Sequence, residues 1–255
     1  MLMTCCREDE ARMRSVAGDG RRAQANVGRT MSVWTIVVAA GRGDRFGGDK
    51  QVADLSGRPV LARSVSTAAE VSDGVVVVAA PDRRAAVADL LVGIEGVVEV
   101  VTGGSTRASS VRAGLAAVPD EATVVLVHDG ARPLASVDLF RRVASGVGEG
   151  VDAVVPGVAV SDSLRAVTGG ALDREEVIAV QTPQAFSAWA LRDAHRLGGE
   201  ASDDASLVEA AGGTVMVVEG EATNAKITVP LDLVVAELSL GSVRPDHGGG
   251  MVVGG

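Results

Sequence analysis

The chain has 255 residues, of which 47% are hydrophobic, 22% charged and only 2% aromatic, with no Tyr. That balance excludes a disordered tail protein and a stacking platform for single-stranded nucleic acid, and it calls for a core of Val, Ala and Leu. A net charge of −9 and apolar runs no longer than a strand leave neither nucleic acid nor a membrane as an expected partner.

Residues 1–30 carry six Arg against four acids and almost no apolar periodicity. The stretch reads as a disordered extension, or as a start set too early, with Met31 the natural beginning. It lacks the apolar segment of a secretory signal, and Glu8, Asp9 and Glu10 count against an Arg-rich targeting peptide. Cys5 and Cys6 are the two cysteines, adjacent and without a nearby His, so neither a disulfide framework nor a Cys metal centre is expected. The expected setting is cytoplasmic.

From Val33 onward apolar, β-branched runs alternate with helix-period segments. The predicted strands are Val33–Ala40, Val75–Ala80, Val97–Val101, Val124–Val127, Ala153–Val160, Thr214–Val218 and Lys226–Val229. Most are continuous rather than alternating, as in strands buried on both faces. The predicted helices are Pro59–Val71, Asp82–Val92, Thr106–Val118, Val137–Val147, Ala188–Leu197, Asp203–Ala211 and Leu231–Leu240. This order predicts an α/β fold, a Rossmann-like and mostly parallel sheet flanked by helices, with ligands at the C-terminal strand edge. One domain is expected over residues 31–241, followed by a flexible tail at 242–255. The stretch 157–180 breaks the rhythm: two runs flank Thr168-Gly169-Gly170, either a hairpin projecting from the sheet or a pair of surface loops.

The first strand runs into Ala39-Ala40-Gly41-Arg42-Gly43-Asp44-Arg45-Phe46-Gly47-Gly48-Asp49-Lys50-Gln51. Glycines there let backbone N–H groups approach an anion, and Arg45 and Lys50 add two cations. Phe46 stands where a dinucleotide fingerprint needs Gly, and Lys50 is followed by Gln51 rather than the Ser or Thr of a Walker loop. Gly103-Gly104-Ser105-Thr106-Arg107 joins another strand to a helix, with Ser105 or Thr106 as N-cap. Val124–His128 leads into Asp129-Gly130-Ala131-Arg132-Pro133, and a carboxylate at a strand end is suited to holding Mg²⁺ against phosphates. His128 is expected to bond locally rather than act as a base, and no Ser–His–Asp set is present. Such a site works by charge and positioning, which suits phosphoryl or nucleotidyl transfer.

Six blocks in register resemble the 2-C-methyl-D-erythritol 4-phosphate cytidylyltransferase family: Ala39–Gln51, Gly103–Leu115, Val127–Pro133, Gln181–Phe186, Ser202–Ser206 and Asn224–Asp232. The resemblance implies a Rossmann-like nucleotidyltransferase that joins CTP to methylerythritol phosphate and releases pyrophosphate. It also implies a homodimer in which a β-arm, matched by residues 157–180, reaches the partner. Arg45 and Lys50 are expected on the triphosphate and Lys226 at the α-phosphate. Asp129 is expected to hold Mg²⁺ or the substrate hydroxyls. Ala39, Ala40, Gly41, Gly43, Gly104, Ser105 and Ser110 are expected around CTP. Arg132, Ser163, Arg174, Thr182 and Ser202 are expected around the sugar-alcohol phosphate. The chain departs from the family in a shorter loop between Arg45 and Lys50, Asp49 where Pro is common, Asp44 at an often basic position, Ser105 for Asp, and Ser163 and Ser202 for Thr. An acid on each side of the phosphate loop is expected to weaken CTP binding or alter its salt dependence. The alternatives are a ribitol 5-phosphate cytidylyltransferase and a non-catalytic nucleotide-binding homologue.

Overall fold

Val and Ile side chains that are stiff at χ1 favour extended backbone, and here they lie in runs long enough to bury both faces of a strand. The computed structural model describes residues 31–41 and 43–242. The expected extension at 1–30 and the expected tail beyond 242 lie outside the described residues.

The first half holds β1 (Val33–Ala39), a 3₁₀ turn at Asp44–Phe46, the short strands β2 (Asp54–Leu55) and β3 (Arg58–Pro59), α1 (Val60–Ala69) and β4 (Gly74–Ala79). It continues with α2 (Arg84–Leu90), β5 (Val97–Thr102), α3 (Arg107–Leu115), β6 (Val124–Asp129) and α4 (Val137–Gly146). The second half holds β7 (Ala153–Ala159), β8 (Leu164–Arg165), β9 (Ala171–Leu172), a 3₁₀ turn at Arg174–Glu176, β10 (Ile178–Val180) and β11 (Gln184–Ser187). It ends with α5 (Ala188–Arg196), α6 (Asp204–Ala210), β12 (Val215–Glu219) and α7 (Pro230–Ser242).

The main sheet has eight strands in the order β10-β7-β11-β6-β1-β4-β5, with β12 paired to β7. The block β5–β4–β1–β6 is parallel, and β12 is parallel to β7. Successive residues of the central strands face opposite layers. Val37, Val75 and Val77 pack with Leu61 and Val65 of α1 and Phe140 of α4. Ile36, Val76 and Val78 pack with Val111 of α3 and Leu191 of α5. This double burial is why the Val runs are continuous, and it confirms the α/β, Rossmann-like, mostly parallel expectation.

Besides the short strands β2 and β3, which were not foreseen, two segments differ from the sequence reading. Gln184–Ser187, not foreseen, forms β11, antiparallel to both β6 and β7. Lys226–Val229, predicted as a strand, is an irregular loop. Ile227 N–H donates to Ala131 O at 2.8 Å, but no ladder follows. Ile227 is instead a fully buried plug beside Leu55, Val60 and Ala236, and that burial is worth about 2 kcal/mol.

The segment between β7 and β11 leaves the sheet and returns. Gly157–Ala159 of β7 pair antiparallel with β10, and β8 pairs with β9 across the Thr168–Gly170 turn. Val167, Leu172, Ile178 and Val180 along it are exposed.

Candidate active site

Because β1, β4, β5 and β6 run parallel, their C-terminal ends open on one edge. Val38 pairs with Asp129, Ala39 with Ala79, and Ala79 with Thr102. The loops after β1, β5 and β6 therefore meet there. Lys226 arrives on a fourth segment, set in place by the Ile227 plug. Together they enclose a cavity of about 250 Å³ whose walls include Ala40, Gly41, Lys50, Gly104, Ser105, Ser110, Asp129 and Lys226. A second cavity, of about 290 Å³, lies between α1 and the end of α7 and contains none of the predicted site residues.

Glycine is required at two points of this mouth. Gly43 has φ +73°, and a Cβ there would stand 2.8 Å from Gly48 O, so the loop closes on itself. A Cβ on Gly104 would overlap the Ser109 hydroxyl, so that loop lies directly on the first turn of α3. Thr106 caps α3 in a capping box with Ser109, which resolves the choice between Ser105 and Thr106.

The charges converge on Asp129. Lys226 Nζ lies 2.7 Å from its Oδ2, and Arg132 Nε lies 3.7 Å from the same oxygen. Burial alone would raise the Asp129 carboxyl; Lys226, then Arg107 and Arg132, outweigh it and hold it at about 2. Lys50 donates to Ile227 O at 2.9 Å. Its ammonium is pulled below its ordinary range, first by burial and then by the charge of Lys226, with Arg45 adding to this and Asp129 opposing it. Lys50, Lys226, Arg107 and Arg132 thus surround one ionised carboxylate, with Arg45 acting on Lys50.

Behind the mouth sits a polar brace. The Asp129 N–H donates to Thr182 Oγ1 at 3.0 Å, and that hydroxyl lies 3.2 Å from His128 Nδ1. His128 Nε2 lies 3.2 Å from Arg132 O. A carbonyl only accepts, so the neutral ring carries its proton on Nε2 and takes the Thr182 hydroxyl hydrogen on Nδ1. Burial lowers the His128 imidazole from 6.5 to about 4, so it is neutral at pH 7 and bonds locally. Arg132 Nη1 donates to Asn224 O at 2.7 Å, tying the Asp129 loop to the Lys226 segment.

The predicted residues therefore divide. Ala40, Gly41, Lys50, Gly104, Ser105, Ser110, Asp129 and Lys226 line the cavity. Gly43 shapes the loop, Ala39 is buried at the end of β1, and Arg45 is exposed beside Lys50. Thr182 and Arg132, expected around the sugar-alcohol phosphate, do not line the cavity and take part in the brace behind it. Ser202 is exposed just before the Asp203 cap of α6. Arg174 donates to Ser161 O at 3.0 Å on the excursion between β7 and β10, where Ser163 also lies, and neither lines the cavity.

Val38, Gln51, Thr106, Arg107 and Ala131 also line the cavity without having been predicted as site residues. Gln51 is buried on the cavity wall, with its Oε1 lacking a hydrogen-bond partner. Arg107 pairs with the fully buried Asp204, which also binds His195 Nε2 at 2.9 Å. The available signal for Arg107 was its place at the start of a helix that follows a Gly-Gly loop at a strand end. Among the described residues no three His, Cys, Asp or Glu side chains gather to hold a metal; Asp129 is the carboxylate on this cavity.

The sequence model of the family IspD, 2-C-methyl-D-erythritol 4-phosphate cytidylyltransferase, matches residues 33–242. The chain is 41% identical over 215 residues to the 2-C-methyl-D-erythritol 4-phosphate cytidylyltransferase of Prochlorococcus marinus, covering 79% of this chain and 95% of that one. It is 43% identical over 216 residues to the bifunctional enzyme IspD/IspF of Clavibacter michiganensis subsp. michiganensis, covering 79% of this chain and 53% of that one. The chain thus spans about half the length of the bifunctional relatives it matches. The crystal structure of 2-C-methyl-D-erythritol 4-phosphate cytidylyltransferase from Thermus thermophilus superposes with a TM-score of 0.67 at 39% identity, over 84% of this chain and 100% of that one.

Proposed function

The chain belongs to the 2-C-methyl-D-erythritol 4-phosphate cytidylyltransferase family, and from that premise we propose that it joins CTP to 2-C-methyl-D-erythritol 4-phosphate. The products are 4-diphosphocytidyl-2-C-methyl-D-erythritol and pyrophosphate. The observation that carries the reading is the cavity in which Lys50 and Lys226 face Asp129, with Arg45 beside them, next to the Gly104–Ser110 wall.

A phosphate oxygen of the methylerythritol phosphate attacks the α-phosphorus of CTP in line. The new P–O bond forms as the bond to the β-phosphate oxygen breaks, and pyrophosphate leaves with that electron pair. The nucleophile is already an anion at neutral pH, so no general base is needed, in keeping with the neutral, internally bonded His128. Arg45 and Lys50 neutralise the triphosphate, and Lys226 meets the charge that builds at the α-phosphate. The Gly104, Ser105 and Ser110 wall receives the cytidine. An acidic protein can gather two anions because its cations are concentrated at one mouth.

Mg²⁺ belongs to this proposal. A single ionised carboxylate, without a second acid beside it, fits a cation that keeps most of its ligands from substrate phosphates and water. Asp129 would hold it, and its contribution is to offset phosphate charge. Homodimerisation through residues 157–180 is also part of the proposal: Ser163 and Arg174 are absent from their own chain's cavity and are assigned to a partner's. A cytoplasmic setting is part of the same proposal; among the described residues no helix is long and apolar enough to cross a membrane.

The ribitol 5-phosphate alternative gains nothing from the relatives, which carry the methylerythritol description. A non-catalytic role is at odds with the full set of cations at the mouth. Pyrophosphate release from CTP, measured with methylerythritol phosphate and ribitol 5-phosphate side by side, tests the reading. Turnover with the first alone is expected. Turnover with ribitol 5-phosphate alone, or with neither, overturns it.

A further inference from the structure

Asp49 is the residue immediately before the phosphate-loop lysine, where an acid ought to oppose a triphosphate. Its carboxylate is already engaged. Arg83 Nη1 lies 2.8 Å from Asp49 Oδ1, and the same oxygen accepts the Gln51 N–H at 3.1 Å. The two side chains are about a quarter exposed, at 25% and 29%. Arg83 stands at the start of α2, its N–H donating to Ala80 O at 2.9 Å and its carbonyl accepting from Val87 N–H at 2.9 Å. It is therefore mounted on the end of β4 and does not line the cavity. The Asp49 oxygen bridges this rigid mount to the backbone of Gln51, with Lys50 between them.

We infer that Asp49 and Arg83 form a charge latch: the ion pair cancels an acid beside the phosphate-binding lysine. Arg83 is a positioning residue that acts through Asp49. The trailing end of the loop is held separately, by the Asx-type bond in which Asp49 Oδ1 accepts the Gln51 N–H. The inference rests on the proposed placement of the CTP phosphates at this loop.

The test is a rescue series on the full chain, reading KM for CTP, kcat and their salt dependence. Arg83→Gln leaves a carboxylate uncompensated next to Lys50. KM for CTP should rise about fivefold, the scale of one partly screened charge near a protein surface, with kcat held within about twofold. That rise should shrink as salt screens the added repulsion. Asp49→Asn keeps the acceptor for the Gln51 N–H and should leave KM within about twofold of the parent. The double variant Arg83→Gln with Asp49→Asn should return KM to near the parent value. An Arg83→Gln variant with unchanged KM, or a double variant that stays as poor as Arg83→Gln alone, overturns the latch; the latter outcome would mean that Arg83 meets the nucleotide itself. Lys50→Gln separates this from failure of the site reading. If it raises KM for CTP while Arg83→Gln does not, the loop assignment stands and the latch falls. If neither moves KM, the loop is not the phosphate site and both fall.

Discussion

The mouth at the C-terminal edge of β1 and β6 and the excursion between β7 and β10 hold the predicted site residues in opposite ways. At the mouth, every wall is backed by buried structure: Ile36 and Val37 under the first loop, His128 and Thr182 under the third, Ile227 under Lys226. On the excursion, β8 and β9 are two residues each, and Leu172, Ile178 and Val180 face solvent. The mouth gathers Lys50, Asp129 and Lys226 from one chain, whereas Arg174 on the excursion meets Ser161 and Glu175 and does not line that cavity. A sheet edge can preorganise charge by itself, but a projecting hairpin needs something to project into.

The sharpest way to break that contrast is Lys226→Ala. If the mouth is self-sufficient, losing the cation closest to Asp129 should lower kcat by about a thousandfold. The fold should survive, since Lys226 is 43% exposed and its segment is held by Ile227. Steady-state pyrophosphate release with circular dichroism on the same samples checks both. Turnover within about tenfold of the parent would remove Lys226 from the machinery and leave the mouth without its central charge.

The brace behind the mouth should declare itself in pH. Burial holds His128 at about 4 in the folded chain, against 6.5 when unfolded. Between these values the unfolded chain binds a proton that the folded one refuses, so stability is full above pH 6.5 and falls as pH drops toward 4. The whole shift is worth about 3 kcal/mol. Asp129, held at about 2 against 3.8, adds a second loss that begins only below pH 3.8. Urea unfolding across pH 4 to 7 should show the first slope, and His128→Gln should flatten it. An equal slope in that variant would place the titration elsewhere.

How much of this was legible from the sequence depended on what determines each part. The Val runs at 75–80 and 124–127 were readable because burial on both faces writes itself into composition. Gln184–Ser187 was not, because a four-residue strand with Gln and Ser at its ends has no period to read, and its pairing is fixed by β6 and β7. Lys226–Val229 misled for the converse reason: Ile227 and Val229 look like a strand, yet Ile227 is apolar to fill a hole under the loop. At the site, Lys50, Asp129 and Lys226 were readable as charges in matching blocks. Thr182 and Arg132 were readable as important but not as supports, since that distinction needs the distance from Thr182 to the Asp129 N–H. Asp49 was readable only as an oddity, because its partner Arg83 lies across the loop, beyond any local pattern.

The smallest expected effect sharpens the contrast most. Arg174 is half-exposed and donates to Ser161 O at 3.0 Å, so Arg174→Ala should leave the fold unchanged. It should raise KM for methylerythritol phosphate about tenfold, the loss of one charge-assisted phosphate contact, and leave KM for CTP alone. Equal rises for both substrates would count against the arm assignment. Whether the arm serves its own chain or a partner is then decided by mixing Arg174→Ala with Lys226→Ala and assaying at low methylerythritol phosphate. If the arm acts across a twofold interface, half the dimers are mixed. Each of these regains one intact site, made of Lys226 from one chain and Arg174 from the other. The mixture should then reach about a quarter of parental activity. If the arm acts within its own chain, every site that keeps Lys226 lacks Arg174, and the mixture should stay near about a twentieth. A result at the lower level would make the excursion part of its own mouth, and the division drawn between the two regions would be wrong.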